Sequence, residues 1–420
     1  MNKKKIINDP VYGFLNIPHK MVFNLIEHPY FQRLRRIQQL GMTSLVYPGA
    51  LHTRFHHALG ATHLMKQAIE GLRAKKVKIS KEEGKAAITA ILLHDIGHGP
   101  FSHALEHSIV TNVPHEMISL LFMERLNKEF GGRLDLAIQI FKGDYPKSFL
   151  HELVSSQLDM DRLDYLSRDS FFTGVQEGIV GSDRIIKMLA VKNNHLVVEE
   201  KGIYSVEKFL IARRLMYWQV YLHKTVMSAE LMLMKILQRA KQLIQEGHQL
   251  FATPPLLFFL QNNFTLQGFK ENPAILDQFA LLDDTDILAG IKVWQSYKKD
   301  VVLRELCQGI LQRKLLKIEL GKEMINPQKV EEYIHIAAKK FKISSKDAAY
   351  LVFTGKTSNS AYTHKGSQIN ILYKDGSTKN ITAASDYFNL EMLANPVVKH
   401  YICYPEVVRK ALKPILNDKF

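Results

Sequence analysis

Apolar residues recur at helical spacing through most of the chain. One helix is expected from about Lys20 to Glu27, where His28-Pro29 ends it. A second is expected from Tyr30, with Phe31, Leu34, Ile37, Gln38 and Leu40 about a helical repeat apart and Gly41 closing it. The next starts near Arg54, turns Leu59, His63, Leu64 and Ile69 inward and runs to about Lys75. Ser80 followed by Glu83 is a capping-box signature. It opens a helix whose apolar run, Ala86-Ala87-Ile88-Thr89-Ala90-Ile91-Leu92-Leu93, ends in His94-Asp95. Helices are also expected over 101–109, 116–130, 134–141, 149–165 and, at greater length, 206–246. The helical pattern then continues to 324, broken at Pro254-Pro255 and Asn272-Pro273.

Alternating patterns are confined to a few places. Residues 1–20 read as an extended arm or a short strand pair. Residues 195–206 read as a hairpin turning at Lys201-Gly202. Beyond Asn326-Pro327 an amphipathic helix over 328–341 precedes β-rich runs at 349–353, 368–373, 378–382 and 397–404. Lys374-Asp375-Gly376-Ser377 is a hairpin turn between two of them, and a last helix covers 405–416. The expected fold is mainly α: a helical core over 1–325, with a small C-terminal α+β domain over 326–420. No repeat of fixed period interrupts this order.

Composition changes the picture little. Hydrophobic residues make up 46% and charged residues 23% of the 420, as in ordinary globular proteins and unlike disordered ones. The two cysteines, Cys307 and Cys403, lie far apart, so a disulfide framework is not expected and a reducing cytoplasm fits. The basic N-terminus has no apolar segment behind it, and no run nears the roughly 20 apolar residues of a membrane span. The net charge of +15 suits an anionic partner without choosing among polyphosphate, nucleic acid and a membrane surface.

The chemistry concentrates at His94-Asp95. An imidazole and a carboxylate at the end of a buried helix are costly to bury unless a cation sits between them, and both are good ligands for a divalent metal. Arg54-Phe55-His56-His57 stands upstream and Asp159-Met160-Asp161-Arg162 downstream. The order His … His-Asp … Asp on separate helices offers a ligand set for one ion with room left for water. His56 and His57 both remain candidates on residue type, and the spacing to Arg54 favours His57.

These segments resemble the HD-domain phosphohydrolases, and the wording from Leu92 to His103 resembles their deoxynucleotide triphosphohydrolase branch, which has vertebrate and bacterial members. The resemblance is good over about 10–230, fades through the middle helices and is weak in the tail. It implies His57, His94, Asp95 and Asp161 as ligands of one divalent ion, and mixed N/O donors admit Mg, Mn, Fe, Ni, Co or Zn. It further implies that His115 pairs with Glu106 and handles the proton of the leaving oxygen or attacks in line. His98 is then expected at the α-phosphate, and His103 beside Glu106. Arg54, Arg162 and Arg213 match phosphate-holding positions, with Lys224 close by. Gln39, Tyr165 and Asp169 match residues that touch a deoxyribose, and Leu40 packs against sugar or base. Glu27, Gln32 and Arg35 echo a regulatory nucleotide site. The chain departs from the family at Glu106 and Glu27, where aspartate is usual, at Arg162, where lysine is also used, and at His56, where glutamate is common.

The activity implied is hydrolysis of a dNTP to deoxynucleoside and triphosphate, with a divalent metal as cofactor. The alternatives are an HD hydrolase of another phosphoester, such as a nucleoside monophosphate or cyclic nucleotide, or a nucleic-acid-binding protein with a residual site. Gln39, Arg54, Arg213 and Tyr165 favour a long polyphosphate on a deoxysugar. Further expected partners are a regulatory nucleotide, weakly bound nucleic acid and other copies of the chain in a homo-dimer or homo-tetramer. No membrane partner is expected.

Overall fold

The computed structural model describes residues 5–101, 105, 108–110, 113–359, 368–386 and 397–417. The site rests on α1 (Arg54–Ala74), α2 (Lys81–Leu93), α3 (His115–Glu129) and α4 (Met160–Thr173). α1 starts where the Thr53 N–H donates to His56 Nδ1 at 3.2 Å. α2 starts with the expected reciprocal cap, Glu83 N–H to Ser80 Oγ at 3.1 Å and Ser80 N–H to Glu83 Oε2 at 2.7 Å. Ala86 to Leu93 are all buried, so α2 is a core helix rather than an amphipathic one. α1 packs against both α2 and α4. The approach of α1 to α4 depends on Gly60, where a Cβ would come within 1.9 Å of Asp164 Oδ1. α3 is tied to the end of α2 through Ser119, whose Oγ donates to the His94 carbonyl at 2.7 Å and accepts from the Gly97 N–H at 2.9 Å.

The N-terminal arm is a hairpin of β1 (Ile6–Asp9) and β2 (Gly13–Asn16). Asp9 links it to α4 by accepting from Arg168 Nη1 at 2.8 Å. Two further sheets lie later in the chain. One has the order β3 (Leu189–Lys192), β4 (His195–Glu199), β7 (Asn370–Leu372) and β8 (Thr378–Asn380), with β4 and β7 parallel. The other has β9 (Val397–Tyr404) between β5 (Lys317–Gly321) and β6 (Phe353–Asn359). Strands beyond residue 326 therefore hydrogen-bond to strands before it in both sheets. Leu351, Ile369, Ile371, Ile381 and Cys403 join the main apolar core, and Tyr333, Ala337, Ile402 and Val408 belong to a smaller one.

The mainly helical reading holds, and several local expectations are corrected. Among the shorter ones, the β-rich run at 349–353 is a turn leading into β6, and the run at 378–382 leaves its strand at Asn380 for a helix over Ile381–Ala384. The helix expected over 30–40 stops at Arg36 after one α and one 3₁₀ turn. There Gln38 pairs with Thr53, and its N–H is taken by Asp284 at 2.8 Å. Residues 149–165 form two pieces, Ser148–Val154 and α4, because Asp159 turns to cap α4 through the Arg162 N–H. The long helix over 206–246 is split into α5 (Ile203–Met216) and α6 (Lys224–Gln245) by a π turn at Tyr217–Tyr221. The hairpin turns at Asn193-Asn194, both at positive φ, an asparagine-tolerant geometry, and Lys201-Gly202 instead lead into α5. Residues 317–321, expected to be helical, form β5 because Lys317 to Gly321 pair with β9. Among the described residues no helix is long and apolar enough to cross a membrane.

Candidate metal centre and adjoining cavity

The side chains of His57, His94 and Asp161 converge between α1, the end of α2 and the first turn of α4, with Asp95 beside them. His57 Nε2 is 3.1 Å from Asp161 Oδ1 and 3.7 Å from Asp95 Oδ2. His94 Nε2 is 3.3 Å from Asp95 Oδ1 and 3.5 Å from Asp161 Oδ1. The two Nε2 atoms are 3.4 Å apart. Their tautomers follow from what lies behind them. His57 Nδ1 is 2.7 Å from Asp164 Oδ2, and His94 Nδ1 is 2.6 Å from the Ile91 carbonyl. Both partners only accept, so both Nδ1 atoms donate and neutral rings turn their lone pairs inward. Two lone pairs and two carboxylates that face one another are mutually satisfied by a cation, and the fixed Nδ1–H partners are the outer support that metal-bound histidines use. Two carboxylates offset a divalent charge, so the donor set fits one such ion.

The electrostatics agree. Without an ion, burial disfavours a charged His57, yet its bonds to Asp161 and Asp164 hold its pKa up at about 10. A proton on Nε2 thus stands where the cation would and must leave when the ring ligates. Burial likewise opposes the charge on Asp95, but His94, His98 and Arg54 hold the carboxyl well below its ordinary range. The pocket is poised for positive charge. His56 Nδ1 is occupied at the start of α1, whereas His57 Nε2 lies 3.1 Å from Asp161 Oδ1.

His98 and His115 come next. His98 Nε2 is 3.2 Å from Asp95 Oδ1, and its ring stacks on His115 with centroids 3.7 Å apart and planes 21° apart. Burial, then Arg54, push His98 well below its ordinary pKa, so it stays neutral. Asp95, His98 and His115 are close enough to suggest a second ion. The stack argues against it, because an ion cannot lie in the planes of two near-parallel rings at once. Arg33, fully buried, positions this loop by donating to the carbonyls of Ile96 and His98 at 2.8 and 2.9 Å. His115 Nε2 also lies 3.4 Å from Glu116 Oε1. His103 and Glu106 fall outside the described residues, and with them the expected Glu106–His115 pair.

Beside the cluster lies a cavity of about 390 Å³. Six of the sequence-derived residues border it: Gln39, Leu40, Arg54, Arg162, Tyr165 and Asp169, together with Asp161 from the metal cluster. Arg54 Nη1 bonds Asp95 Oδ2 at 2.6 Å, and Arg162 bonds Asp159. Among the described residues Gln39 Oε1, Arg54 Nε and Arg162 Nε are buried there without a partner, and so is His98 Nδ1 beside Asp95. Arg213 is buried rather than an ordinary surface arginine, bonds Gln157 Oε1 at 3.1 Å, and also keeps an unpartnered Nε, but it does not border the cavity. Asp169 is already shared, by His52 Nε2 and the Tyr221 hydroxyl, each at 2.7 Å. Lys224 does not join the site. It opens α6 beyond the π turn and borders a different cavity with Arg313, Lys317 and Arg409. Gln32 and Arg35 bond each other at 2.8 Å, with Arg35 3.6 Å over the Phe55 ring.

Several residues of this site escaped the sequence reading. Asp164 and Arg168 carried a signal, since Asp161, Asp164 and Arg168 stand three and four apart on one helix. Tyr217, Tyr221, Glu230 and Asp284 carried none, because the π turn and α6 reach the cavity, and Asp284 reaches Gln38 and Phe101 at its edge, only through the tertiary fold.

Asp284 accepts from the N–H groups of Gln38 at 2.8 Å and Phe101 at 3.1 Å. Burial nevertheless raises its carboxyl from 3.8 to about 7. A carboxyl raised on folding binds more protons in the folded state, so its contribution to stability is lost as pH rises from about 4 to about 7. Asp284→Asn should make the decline in urea midpoint between pH 5 and pH 7.5 shallower than in wild type. Parallel curves would contradict this.

Two family profiles match the chain: "HD domain" over residues 54–169 and "HD associated region" over residues 180–251. The crystal structure of the phosphohydrolase BT4208 from Bacteroides thetaiotaomicron superposes with a TM-score of 0.93 at 53% identity, covering 96% of this chain and 100% of that one. YwfO of Bacillus subtilis is 32% identical over 371 residues, spanning 86% of this chain and 82% of that protein. The deoxynucleoside triphosphate triphosphohydrolase SAMHD1 homolog of Dictyostelium discoideum is 30% identical over 265 residues, 59% of this chain and 51% of that protein. HD domains bind divalent metals, and the convergence of His57, His94 and Asp161 suits one. The chain belongs to the HD-domain phosphohydrolases.

Proposed function

We propose that the chain hydrolyses deoxynucleoside triphosphates to deoxynucleoside and inorganic triphosphate. One observation carries the reading: buried polar atoms of Gln39, Arg54 and Arg162, unpartnered among the described residues, line the cavity beside the His–Asp cluster, and His98 Nδ1, likewise unpartnered, lies next to Asp95. An orphaned buried donor or acceptor costs about 1–3 kcal/mol. Several in one place are consistent with a ligand that satisfies them, and arginine forks suit phosphate oxygens. The likeness to the Dictyostelium triphosphohydrolase supports the same substrate class.

A divalent ion held by His57, His94, Asp95 and Asp161 would supply Lewis-acid activation of water and neutralise phosphate charge. The chain's own groups do the rest. Arg54 and Arg162 bind and orient the triphosphate, and Arg213, whose charge is felt at Tyr165, adds positive potential. His98, kept neutral, contacts the α-phosphate. Water attacks the α-phosphorus and loses a proton to solvent, the bond from phosphorus to the 5′-oxygen breaks, and His115 in its protonated form delivers its proton to that oxygen. Tyr165 packs against the sugar, with Gln39 and Asp169 at its hydroxyl.

A nucleotide panel with Mg²⁺ or Mn²⁺ and chromatographic identification of products tests this. Triphosphate and deoxynucleoside are expected from at least one dNTP. Pyrophosphate or orthophosphate as the sole inorganic product, or activity on nucleoside monophosphates or cyclic nucleotides alone, would overturn it.

A further inference from the structure

Glu230 stands in the cavity with no part in the chemistry above. It lies on α6 and borders the same cavity as Gln39, Leu40 and Asp161. It accepts from the Met42 N–H through Oε1 at 2.6 Å. The loop can lie on it only because residue 41 is glycine: a Cβ there would meet Oε1 at 2.4 Å, and the backbone has φ +49°. Among the described residues no lysine, arginine or histidine pairs with it. Burial raises its carboxyl to about 7, the Met42 N–H opposing and Asp284 adding to the rise.

An acid is out of place in a cavity whose arginines suit an anion, unless the portion of ligand beside it carries hydrogen-bond donors. The phosphates of a nucleotide carry none at neutral pH, whereas the base does. The position fits. Residues 38–42 leave the metal side at Gln38, which pairs with Thr53 just ahead of α1, and reach Glu230 at Met42. Glu230 thus stands at the end of the loop remote from the cluster, on the base side of a nucleotide whose α-phosphate lies at the cluster.

We propose that Glu230 reads the Watson–Crick edge of the base and makes the chain favour guanine over thymine. Guanine presents two adjacent donors, N1–H and N2–H, to a carboxylate. Thymine presents one N3–H between two carbonyl oxygens that a carboxylate repels, and adenine and cytosine, each with an amino donor beside a ring-nitrogen acceptor, fall between. The inference rests on the reading of the cavity as a deoxynucleotide site.

The test measures relative affinity for the four dNTPs in EDTA, where turnover is blocked, and kcat/KM for each with Mn²⁺. Wild type, Glu230→Gln and Glu230→Asp are compared as full-length chains. Wild type is expected to favour dGTP over dTTP by about tenfold or more. Glu230→Gln, whose amide can still accept from Met42 while offering N–H to thymine, should bring that ratio below about threefold. Glu230→Asp keeps the charge with a shorter reach and should fall between. An unchanged ratio in Glu230→Gln, or an equal loss on all four nucleotides, overturns the inference and leaves Glu230 as a support for the loop. If Glu230→Gln does not fold, an unchanged ratio in Glu230→Asp overturns it alone. Base-selective, Glu230-dependent binding without hydrolysis of any dNTP would keep this inference and sink the hydrolase reading. Equal hydrolysis and binding of all four would do the reverse.

Discussion

Replacing His94 and Asp95 together by alanine is expected to lower phosphohydrolase turnover at least about a thousandfold. The pair supplies two of the four converging donors, and Asp95 does more than ligate. It accepts from Arg54 Nη1 at 2.6 Å and lies 3.2 Å from His98 Nε2, so the double variant also releases a cavity-lining arginine and the histidine beside it. His94 is held by Ile91 and Ser119 through its ring and its carbonyl. The latter bond is to the backbone and survives the substitution, so the end of α2 should keep its place. Kinetics under saturating Mn²⁺, with circular dichroism to confirm an intact helical fold, are the check. A folded variant within tenfold of wild type would show that the chemistry lies elsewhere.

The second large effect belongs to Asp164, which touches no ion in this account. Its Oδ2 takes the His57 Nδ1–H at 2.7 Å, and both its oxygens accept from Arg168 at 3.0 Å. Arg168 reaches on to Asp9, and the side chains of Asp164 and Arg168 are wholly shielded from solvent. Asp164→Ala leaves a buried guanidinium with half its compensation, at a cost of about 3–5 kcal/mol. Asp164→Asn keeps an acceptor for His57 but removes the charge, and should weaken metal binding about 10- to 100-fold. Denaturant unfolding and metal titration separate the two effects. Wild-type metal affinity in a folded Asp164→Asn would mean that His57 needs no such support.

How much of this was legible in the chain depends on how local the cause was. The cap at Ser80-Glu83 and the apolar run behind it act within a few residues, so α2 and its terminal His94-Asp95 could be read directly. The ligand set was legible because each motif rides its own helix and only their order had to be recognised. Failures came where a distant partner decided the backbone. Gln38 leaves its helix to meet Thr53 and Asp284. Asp159 ends one helix to cap the next. The π turn at Tyr217–Tyr221 has no composition signal, yet it brings both tyrosines to the cavity and separates Lys224 from it. Such turns concentrate at functional sites. The β5 segment looked helical because its partner, β9, lies some eighty residues later.

The central claim is that His57, His94, Asp95 and Asp161 share one cation. Its most direct test is the metal content of purified protein after Mn²⁺ loading and desalting, for wild type and for His57→Ala and Asp161→Ala checked for folding. About one ion per wild-type chain, and a loss of most of it in each variant, is the expected result. A full complement of metal retained by either folded variant would contradict the shared site.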